Sequence, residues 1–209
     1  MIRTERLSKV ADGRAVLSEI TLTVGKGDAV AIAGPSASGK STLLRILATL
    51  VRPTSGRVEI AGIDATVRPF DARKKVFLSD AVALGCHDMT VHECLQLIAA
   101  TRAPDTRRSA ADVAPLIAIL GLDAAKSVNM LTAGERRLVA MAAAIASRAE
   151  VLLFNEPLSG LDMPAIECCT ALMSDARARG AAIIATVGAD APQPSPIWNR
   201  QIHLEEVLA

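Results

Sequence analysis

The sequence predicts an α/β fold with a mostly parallel core sheet, because short apolar runs alternate with amphipathic helical segments. Residues 29–33 and 151–154 are continuous apolar runs of the kind that form strands buried on both faces. Residues 40–51 carry apolar side chains at helical spacing, and Pro53 closes that segment. A buried strand followed by a helix and a further strand is the order that builds a parallel sheet.

The other predicted elements follow the same two periodicities. They are strands at 17–24, 57–60, 63 and 75–78, a helical region at 90–148, a helix at 166–173 and a strand at 181–187. Together they predict an N-terminal antiparallel β part and an inserted helical subdomain at residues 86–149. The remaining segments, 1–85 and 150–209, then form the core of one domain that spans residues 1–209.

Composition excludes several classes of function. The chain has 209 residues, and its 23 basic and 22 acidic side chains leave a net charge of +1. This balance argues against a nucleic-acid partner held mainly through phosphates. Three Phe, one Trp and no Tyr also argue against stacking on single-stranded bases. We therefore expect no nucleic-acid partner.

Mean hydropathy is positive, at +0.34, but the apolar residues are dispersed. No run reaches the roughly 18 apolar residues that a membrane-spanning helix needs, so we expect a soluble chain. The four cysteines include an adjacent pair and no C-x-x-C motif, which favours a reducing cytoplasm over a disulfide framework.

A phosphate-binding loop is predicted directly after the first buried strand. The motif G-x-x-x-x-G-K-[S/T], extended by one residue, is matched by Gly34, Pro35, Ser36, Ala37, Ser38, Gly39, Lys40, Ser41 and Thr42. Its glycines let consecutive backbone N–H groups point at phosphate oxygens, Lys40 adds a positive charge, and the Ser41 hydroxyl can bind Mg²⁺. The helix that follows directs its positive N-terminus at the same anion. The motif and its context predict nucleotide binding.

A second part of the site is predicted at the end of the 151–154 strand. Asn155 and Glu156 follow this strand, and ligands of open α/β sheets bind at such strand ends. Glu156 is the best candidate to orient or deprotonate an attacking water molecule. Asp162 is placed to cap the next helix. Thr132 and Glu135 form a capping box, which by itself gives a purely structural explanation of this motif.

Together these motifs resemble the ATP-binding subunit of ABC transporters over essentially the whole chain, with the P-loop NTPase fold of that family. The resemblance implies ATP and Mg²⁺ as ligands, with Ser41, Asp80 and Asn155 near the metal. It also implies a dimer in which Thr132, Ala133, Gly134 and Asp162 meet the partner's nucleotide. The dimer, with itself or with another ABC ATPase, would drive integral membrane permease subunits from the inner face of the cell membrane. Residues 46–50 and 52–56 resemble the exporter-associated members.

The sequence departs from the family pattern at functional positions. Asn155 replaces the Walker B aspartate, and Asp80 stands where the coupling loop has glutamine, so the carboxylate and the amide are exchanged. This exchange either keeps one acidic oxygen near the cation or reflects relaxed constraint at a site without turnover. In the signature motif Ala133 replaces a glycine and Glu135 a glutamine.

Val187 falls where the family has its switch histidine, and it supplies neither charge nor a hydrogen bond to phosphate. We therefore expect ATP binding with slow hydrolysis. A catalytically weak structural or regulatory subunit that pairs with a more intact copy is the alternative. The segment 7–11, where the family has an adenine-stacking ring, has no aromatic residue, so we expect poor discrimination between ATP and GTP.

Overall fold

The computed structural model describes residues 1–80, 86, 88–102, 106–188 and 197–204, without the side chains of 102 and 106–112. The chain divides into two compact units. The first comprises Met1–Leu78, Glu150–Glu156 and Arg177–Ala209, and the second comprises Ser79–Ala149 and Pro157–Ala176. The domain boundaries expected at residues 86 and 149 stay a prediction.

The described residues form nine strands and six helices. The strands are β1 (Ile2–Ala11), β2 (Arg14–Val24), β3 (Ala29–Ala33), β4 (Ser55–Ile60), β5 (Ile63–Asp64), β6 (Val76–Ser79), β7 (Val151–Asn155), β8 (Ala182–Thr186) and β9 (Arg200–His203). The helices are α1 (Lys40–Leu47), α2 (Pro69–Arg73), α3 (Val91–Arg102), α4 (Thr106–Ile119), α5 (Ala133–Ala146) and α6 (Met163–Ala178), with a 3₁₀ turn at Val128–Met130.

The N-terminal strands form an antiparallel sheet in the order β2-β1-β4-β5. The predicted hairpin around Gly62 is present, with Ile60 paired to Ile63. β1 is irregular: Thr4 pairs with Leu22, the register then shifts, and Leu7 pairs with Ile20. The N-terminal antiparallel part of the predicted α/β fold is thus confirmed.

The second sheet has the order β6-β7-β8-β3-β9, and β7, β8, β3 and β9 run parallel. β3 and β8 are buried along their whole length, which explains why β3 is apolar throughout and β8 is apolar up to its last residue, Thr186. α1 begins seven residues after β3, and its Leu43 and Leu47 join Leu7, Leu17 and Leu153 in one buried cluster. The phosphate loop therefore connects a buried strand to a well-packed helix.

α1 is shorter than the sequence predicted, because it ends at Leu47 instead of residue 51. Thr49 adopts a left-handed backbone conformation (φ 59°) that a helix cannot continue. The Arg73 guanidinium fixes this turn by donating from Nε to Thr49 Oγ1 (3.0 Å) and from Nη2 to its carbonyl oxygen (2.5 Å). Leu50, expected on the buried helical stripe, is 57% exposed.

The second unit is mainly helical. α5 packs against α3 and α4, and residues 139–146 of α5 are all buried. The predicted stop at Gly121 agrees with the end of α4 at Ile119. Across the described residues, no helix combines the length and apolar character that a membrane crossing requires.

Candidate nucleotide-binding site

Two glycines let the loop between β3 and α1 approach its surroundings closely. At Gly39 (φ 87°), a Cβ atom would lie 2.6 Å from the Val16 carbonyl oxygen and 2.7 Å from Leu17 Cδ2. At Gly34, a Cβ atom would clash with the Leu204 carbonyl oxygen and lie 2.7 Å from Ser38 Oγ. Both positions therefore require glycine on steric grounds, in addition to the needs of any ligand.

The loop holds polar groups that match a phosphate. Lys40 Nζ donates to the carbonyl oxygens of Gly34 (2.7 Å) and Pro35 (2.6 Å), although only 8% of Lys40 is exposed. Ser38 Oγ is buried and has no hydrogen-bond partner among the described residues. Buried polar atoms normally have a partner, so an unpaired hydroxyl beside a buried ammonium group fits an anionic ligand.

A cleft of about 390 Å³ opens over this loop. Its lining includes Lys40, Ser41, Glu156 and Gly188, with Val16 contributed by β2. The structure thus brings Glu156 and the phosphate loop, which lie far apart in the sequence, to one cleft. Glu156 is exposed and has a left-handed backbone (φ 48°) immediately after β7.

Asn155 is hydrogen-bonded both to the start of α1 and to the end of β8. Its Oδ1 accepts hydrogen bonds from Ser41 Oγ (3.2 Å) and from Thr186 Oγ1 (3.0 Å). Thr186 is fully buried at the end of β8, where it pairs in register with Asn155, and its Oγ1 also accepts from the Glu156 N–H (3.0 Å). The sequence analysis missed Thr186, although a hydroxyl ending an otherwise apolar strand was the available signal.

The oxygen atoms near Ser41 fit a hard divalent cation. The Ser41 hydroxyl is a neutral oxygen ligand of the type that Mg²⁺ accepts alongside phosphate and water, and the Asn155 amide oxygen, which accepts the Ser41 proton, lies directly behind it. Bound Mg²⁺ would neutralise phosphate charge here. Asp80, half-buried directly after β6, belongs to the second unit, so its predicted place near the metal stays a prediction.

The predicted capping box is present at the start of α5. Glu135 N–H donates to Thr132 Oγ1 (3.2 Å), and the Thr132 N–H donates to Glu135 Oε2 (2.7 Å). Lys126 Nζ donates to both carboxylate oxygens of Glu135, at 2.8 and 2.9 Å. The Lys126 ammonium and the Thr132 donors lower the pKa of Glu135 from 4.5 to about 2.

The capping box leaves two backbone N–H groups at the start of α5 available to a ligand. Within the described residues, the N–H groups of Ala133 and Gly134 donate no hydrogen bond. A Cβ atom on Gly134 would meet only Leu161 Cδ2, at 3.9 Å, so nothing in the fold itself demands glycine there. The capping box and an anion at these two amides are therefore compatible, and the structural and functional explanations of this motif can both hold.

Two further predicted residues lie where the sequence placed them. Asp162 precedes α6 and caps it by accepting a hydrogen bond from the Ala165 N–H (3.0 Å). Val187 follows β8 directly, is half-buried, and donates its N–H to the Ile32 carbonyl oxygen (2.9 Å). Of the three histidines, His92 lies in α3 and His203 in β9, while His87 lies outside the described residues.

A glycine-rich loop between a parallel strand and a helix, with a lysine at the helix start, defines a P-loop nucleotide-binding protein. The family model described as ABC transporter matches residues 17–159. The chain belongs to the ABC transporter family.

Similar proteins and structures agree with this assignment. The sulfate/thiosulfate import ATP-binding protein CysA of Thermosynechococcus vestitus is 36% identical over 77% of this chain and 48% of its own length. The probable sulfate/thiosulfate import ATP-binding protein CysA of Chlorella vulgaris is 36% identical over 77% and 69%, respectively. The chain spans about half the length of the first of these relatives.

Among solved structures, the dimeric bacterial ABC transporter cassette MJ0796 matches with a TM-score of 0.85 at 23% identity, over 99% of this chain and 95% of that one. An ATP-binding subunit of an ABC transporter matches with a TM-score of 0.84 at 23% identity, over 90% and 79%. At this identity the matches show the fold, and they confirm the predicted P-loop architecture of ABC ATPases.

Proposed function

We propose that this chain is an ATP-binding subunit that binds Mg-ATP in the cleft over the phosphate loop and hydrolyses it slowly. The observation that carries the proposal is the cleft itself, which places Lys40, Ser41 and Glu156 around one volume. A triphosphate there would take over the hydrogen bonds that Lys40 Nζ now makes to two loop carbonyl oxygens.

The residues of the cleft suggest distinct roles in hydrolysis. Lys40 and the loop N–H groups would hold the phosphates, and Ser41 would bind Mg²⁺ with Asn155 behind it. Glu156 is the carboxylate in the lining that could orient an attacking water molecule or accept its proton. Hydrolysis is expected to be slow because Val187 cannot stabilise charge on the γ-phosphate and Asn155 has no charge to offer the cation.

Hydrolysis by the purified protein tests this proposal. We expect ATP binding with slow phosphate release that Glu156→Gln abolishes, while Lys40→Ala weakens binding itself. Rapid turnover that depends on Glu156 would contradict the slow rate. The absence of ATP binding would contradict the proposal as a whole.

We propose that Asp80 compensates for the neutral Asn155. The Asp80 carboxylate would then supply the acidic oxygen near the cation. In that case Asp80→Ala should weaken Mg²⁺-dependent ATP binding more than Asn155→Ala does, measured by titration with and without EDTA. Equal effects of the two substitutions would refute a compensating role for Asp80 and favour relaxed constraint.

A dimer with itself or with another ABC ATPase is proposed, with Thr132, Ala133, Gly134 and Asp162 facing the partner's nucleotide. The unpaired N–H groups of Ala133 and Gly134 support this role. Size-exclusion chromatography of Glu156→Gln with ATP should show a dimer that Gly134→Asp abolishes. A partner-dependent dimer would appear only after the second ATPase is added.

Membrane permease subunits are the proposed partners, with the chain in the cytoplasm at the inner face of the membrane. The names of the sulfate/thiosulfate relatives favour import, whereas the likeness at residues 46–56 predicted export. Co-purification of the tagged chain from membranes would identify the permease and thereby the direction of transport. Recovery without any membrane protein would contradict the assignment of partners.

A regulatory subunit with little chemistry of its own is the second candidate. The observations that favour it are the neutral Asn155 and the apolar Val187, both beside the cleft residues. Tight ATP binding without turnover, together with stimulation of a second ATPase, would support this function over the first.

Base selectivity is proposed to be weak. The described side chain that lines the cleft from β2 is the aliphatic Val16, which offers no hydrogen bond to a base edge. Competition binding should give dissociation constants for ATP and GTP within about threefold, or less than about 1 kcal/mol. A strong preference for ATP would show that another residue recognises adenine.

A further inference from the structure

Thr186 lies in the parallel sheet between β3, which leads into the phosphate loop, and β7, which ends at Asn155. It ends β8, between Asn155 of β7 and Ile32 of β3 in the register of the sheet, and none of its surface is exposed. The hydroxyl of Thr186 is therefore shielded from water, and the protein groups around it determine its hydrogen bonds.

The direction of these hydrogen bonds follows from the chemistry of the partners. The Glu156 backbone N–H can only donate, so Thr186 Oγ1 accepts there, at 3.0 Å. The single hydroxyl proton of Thr186 is then donated to Asn155 Oδ1, at 3.0 Å. Ser41 Oγ donates to the same Oδ1 at 3.2 Å, so one continuous chain runs from Glu156 through Thr186 and Asn155 to Ser41.

This chain fixes the orientation of the Asn155 amide. With two hydroxyl protons directed at Oδ1, the amide presents oxygen, and not nitrogen, to Ser41. The proton of Ser41 is thereby used in this contact, and the lone pairs of Ser41 stay available for a cation. An amide turned the other way would donate to Ser41 and compete for those lone pairs.

The same hydroxyl supports the backbone of Glu156. The left-handed conformation at this residue (φ 48°) is rare for non-glycine residues, and the Thr186 hydroxyl accepts the N–H of this peptide. Because the Glu156 side chain leaves the backbone at this point, its direction into the cleft depends on the same hydrogen bond.

We propose that Thr186 is a positioning residue that orients both Glu156 for hydrolysis and the Asn155–Ser41 pair for Mg²⁺. The inference rests on the proposed ATPase function and adds a residue to that site. The hydroxyl of Thr186 is essential to this role and its methyl group is not, so serine should replace threonine and valine should not.

The experiment compares Thr186→Val and Thr186→Ser in the wild-type chain and in Glu156→Gln. Thr186→Val should lower kcat by about tenfold or more and raise KM for Mg-ATP by at least about threefold, whereas Thr186→Ser should keep both within about threefold. In the Glu156→Gln background, which should not turn over, Thr186→Val should still reduce the gain in ATP affinity from Mg²⁺, because Thr186 also orients the Asn155–Ser41 pair.

Thr4 provides a matched control. It is also fully buried, and its Oγ1 likewise accepts one backbone N–H, from Leu22 (2.9 Å), while it donates to the Ile20 carbonyl oxygen (3.0 Å). Thr4→Val removes a comparable buried hydroxyl from the antiparallel sheet. Thr4→Val should lower the melting temperature as Thr186→Val does, yet leave kcat and the Mg²⁺ dependence unchanged.

Mg²⁺-dependent binding gives a readout that does not need turnover. A fluorescent ATP analogue is titrated with Mg²⁺ and with EDTA, and the gain in affinity from Mg²⁺ should fall at least about threefold in Thr186→Val but not in Thr186→Ser. An unchanged gain, or equal losses in Thr186→Ser and Thr186→Val, would overturn the inference. A wild-type chain that binds ATP without hydrolysing it would contradict the proposed hydrolysis alone, and the Mg²⁺ gain would still decide the role of Thr186.

Discussion

Replacing Glu135 with alanine will lower the free energy of unfolding through two separate losses. The first is the reciprocal cap at the start of α5, in which Glu135 Oε2 accepts the Thr132 N–H at 2.7 Å. Alanine keeps the backbone N–H that donates to Thr132 Oγ1, so one hydrogen bond of the capping box is lost, at a cost of about 0.5–1.5 kcal/mol. The second is the ion pair with Lys126, whose two side chains are each 31% exposed, and such a pair contributes about 0.2–1 kcal/mol. The expected total is about 0.7–2.5 kcal/mol.

Two companion variants separate these losses. Glu135→Gln keeps an acceptor for the Thr132 N–H but removes the charge, and Lys126→Met removes only the ion pair. Each should cost about 0.2–1 kcal/mol, less than Glu135→Ala. Urea denaturation followed by circular dichroism at pH 7 measures all three differences.

The pH dependence of stability provides an independent check. Because the folded pKa of Glu135 lies near 2, below its ordinary 4.5, its stabilisation is complete above pH 4.5 and is lost as the pH falls toward 2. Glu135→Ala should therefore approach the stability of the wild-type chain as the pH falls from 4.5 to 3. A difference between the two that stays constant over this range would refute the reasoning.

Three other substitutions, two of them with a control variant, test the loop and the core. Gly34→Ala should lower the free energy of unfolding by about 2 kcal/mol or more in urea denaturation, because its Cβ would meet the Leu204 carbonyl oxygen; a stable variant would contradict the tight approach. Lys40→Ala should weaken ATP binding at least tenfold, about 1.4 kcal/mol, in a fluorescence titration, whereas Arg45→Ala on the exposed side of α1 should not. Phe154→Ala should cost about 3–5 kcal/mol because Phe154 is fully buried, and Leu50→Ala, 57% exposed, less than about 0.5 kcal/mol; similar losses would contradict the burial pattern.

Elements buried on both faces were the easiest to predict from the sequence. β3 was predicted with its observed bounds, and β7 and β8 within one residue at each end. Complete burial makes the whole run apolar, so these strands need no partner to be recognised. The phosphate loop was equally accessible, because a nine-residue motif carries its own geometric requirements.

β1 could not be predicted because its alternation is broken. Arg6 has a positive φ of 44°, the register shifts between Thr4 and Leu7, and the buried positions change from even to odd numbers. A bulge of this kind erases the two-residue period on which prediction depends. β9 was missed for another reason, since its residues are mostly exposed and carry no apolar pattern.

The sequence predicted the residues of the candidate site that belong to motifs. It did not predict Thr186, the residue that links them. Asn155 and Glu156 follow an apolar run, whereas Thr186 matters only because β8 lies beside β7. Strand order depends on tertiary structure and is not encoded in local spacing. The end of α1 illustrates the same limit, because Arg73, 24 residues away, fixes the turn at Thr49.

Core substitutions usually do damage by removing side-chain volume. In the buried segment 139–146 of α5 we expect the opposite, with damage from added volume. Five of these eight residues are alanines, at 140, 142, 143, 144 and 146, and at these five positions there is almost no side-chain volume left to remove. Added methyl groups would instead push neighbouring elements apart, at about 1–3 kcal/mol per overpacked site. A saturation screen of α5 should therefore find these positions intolerant of larger apolar residues, which substitution by hydrophobicity alone would class as harmless.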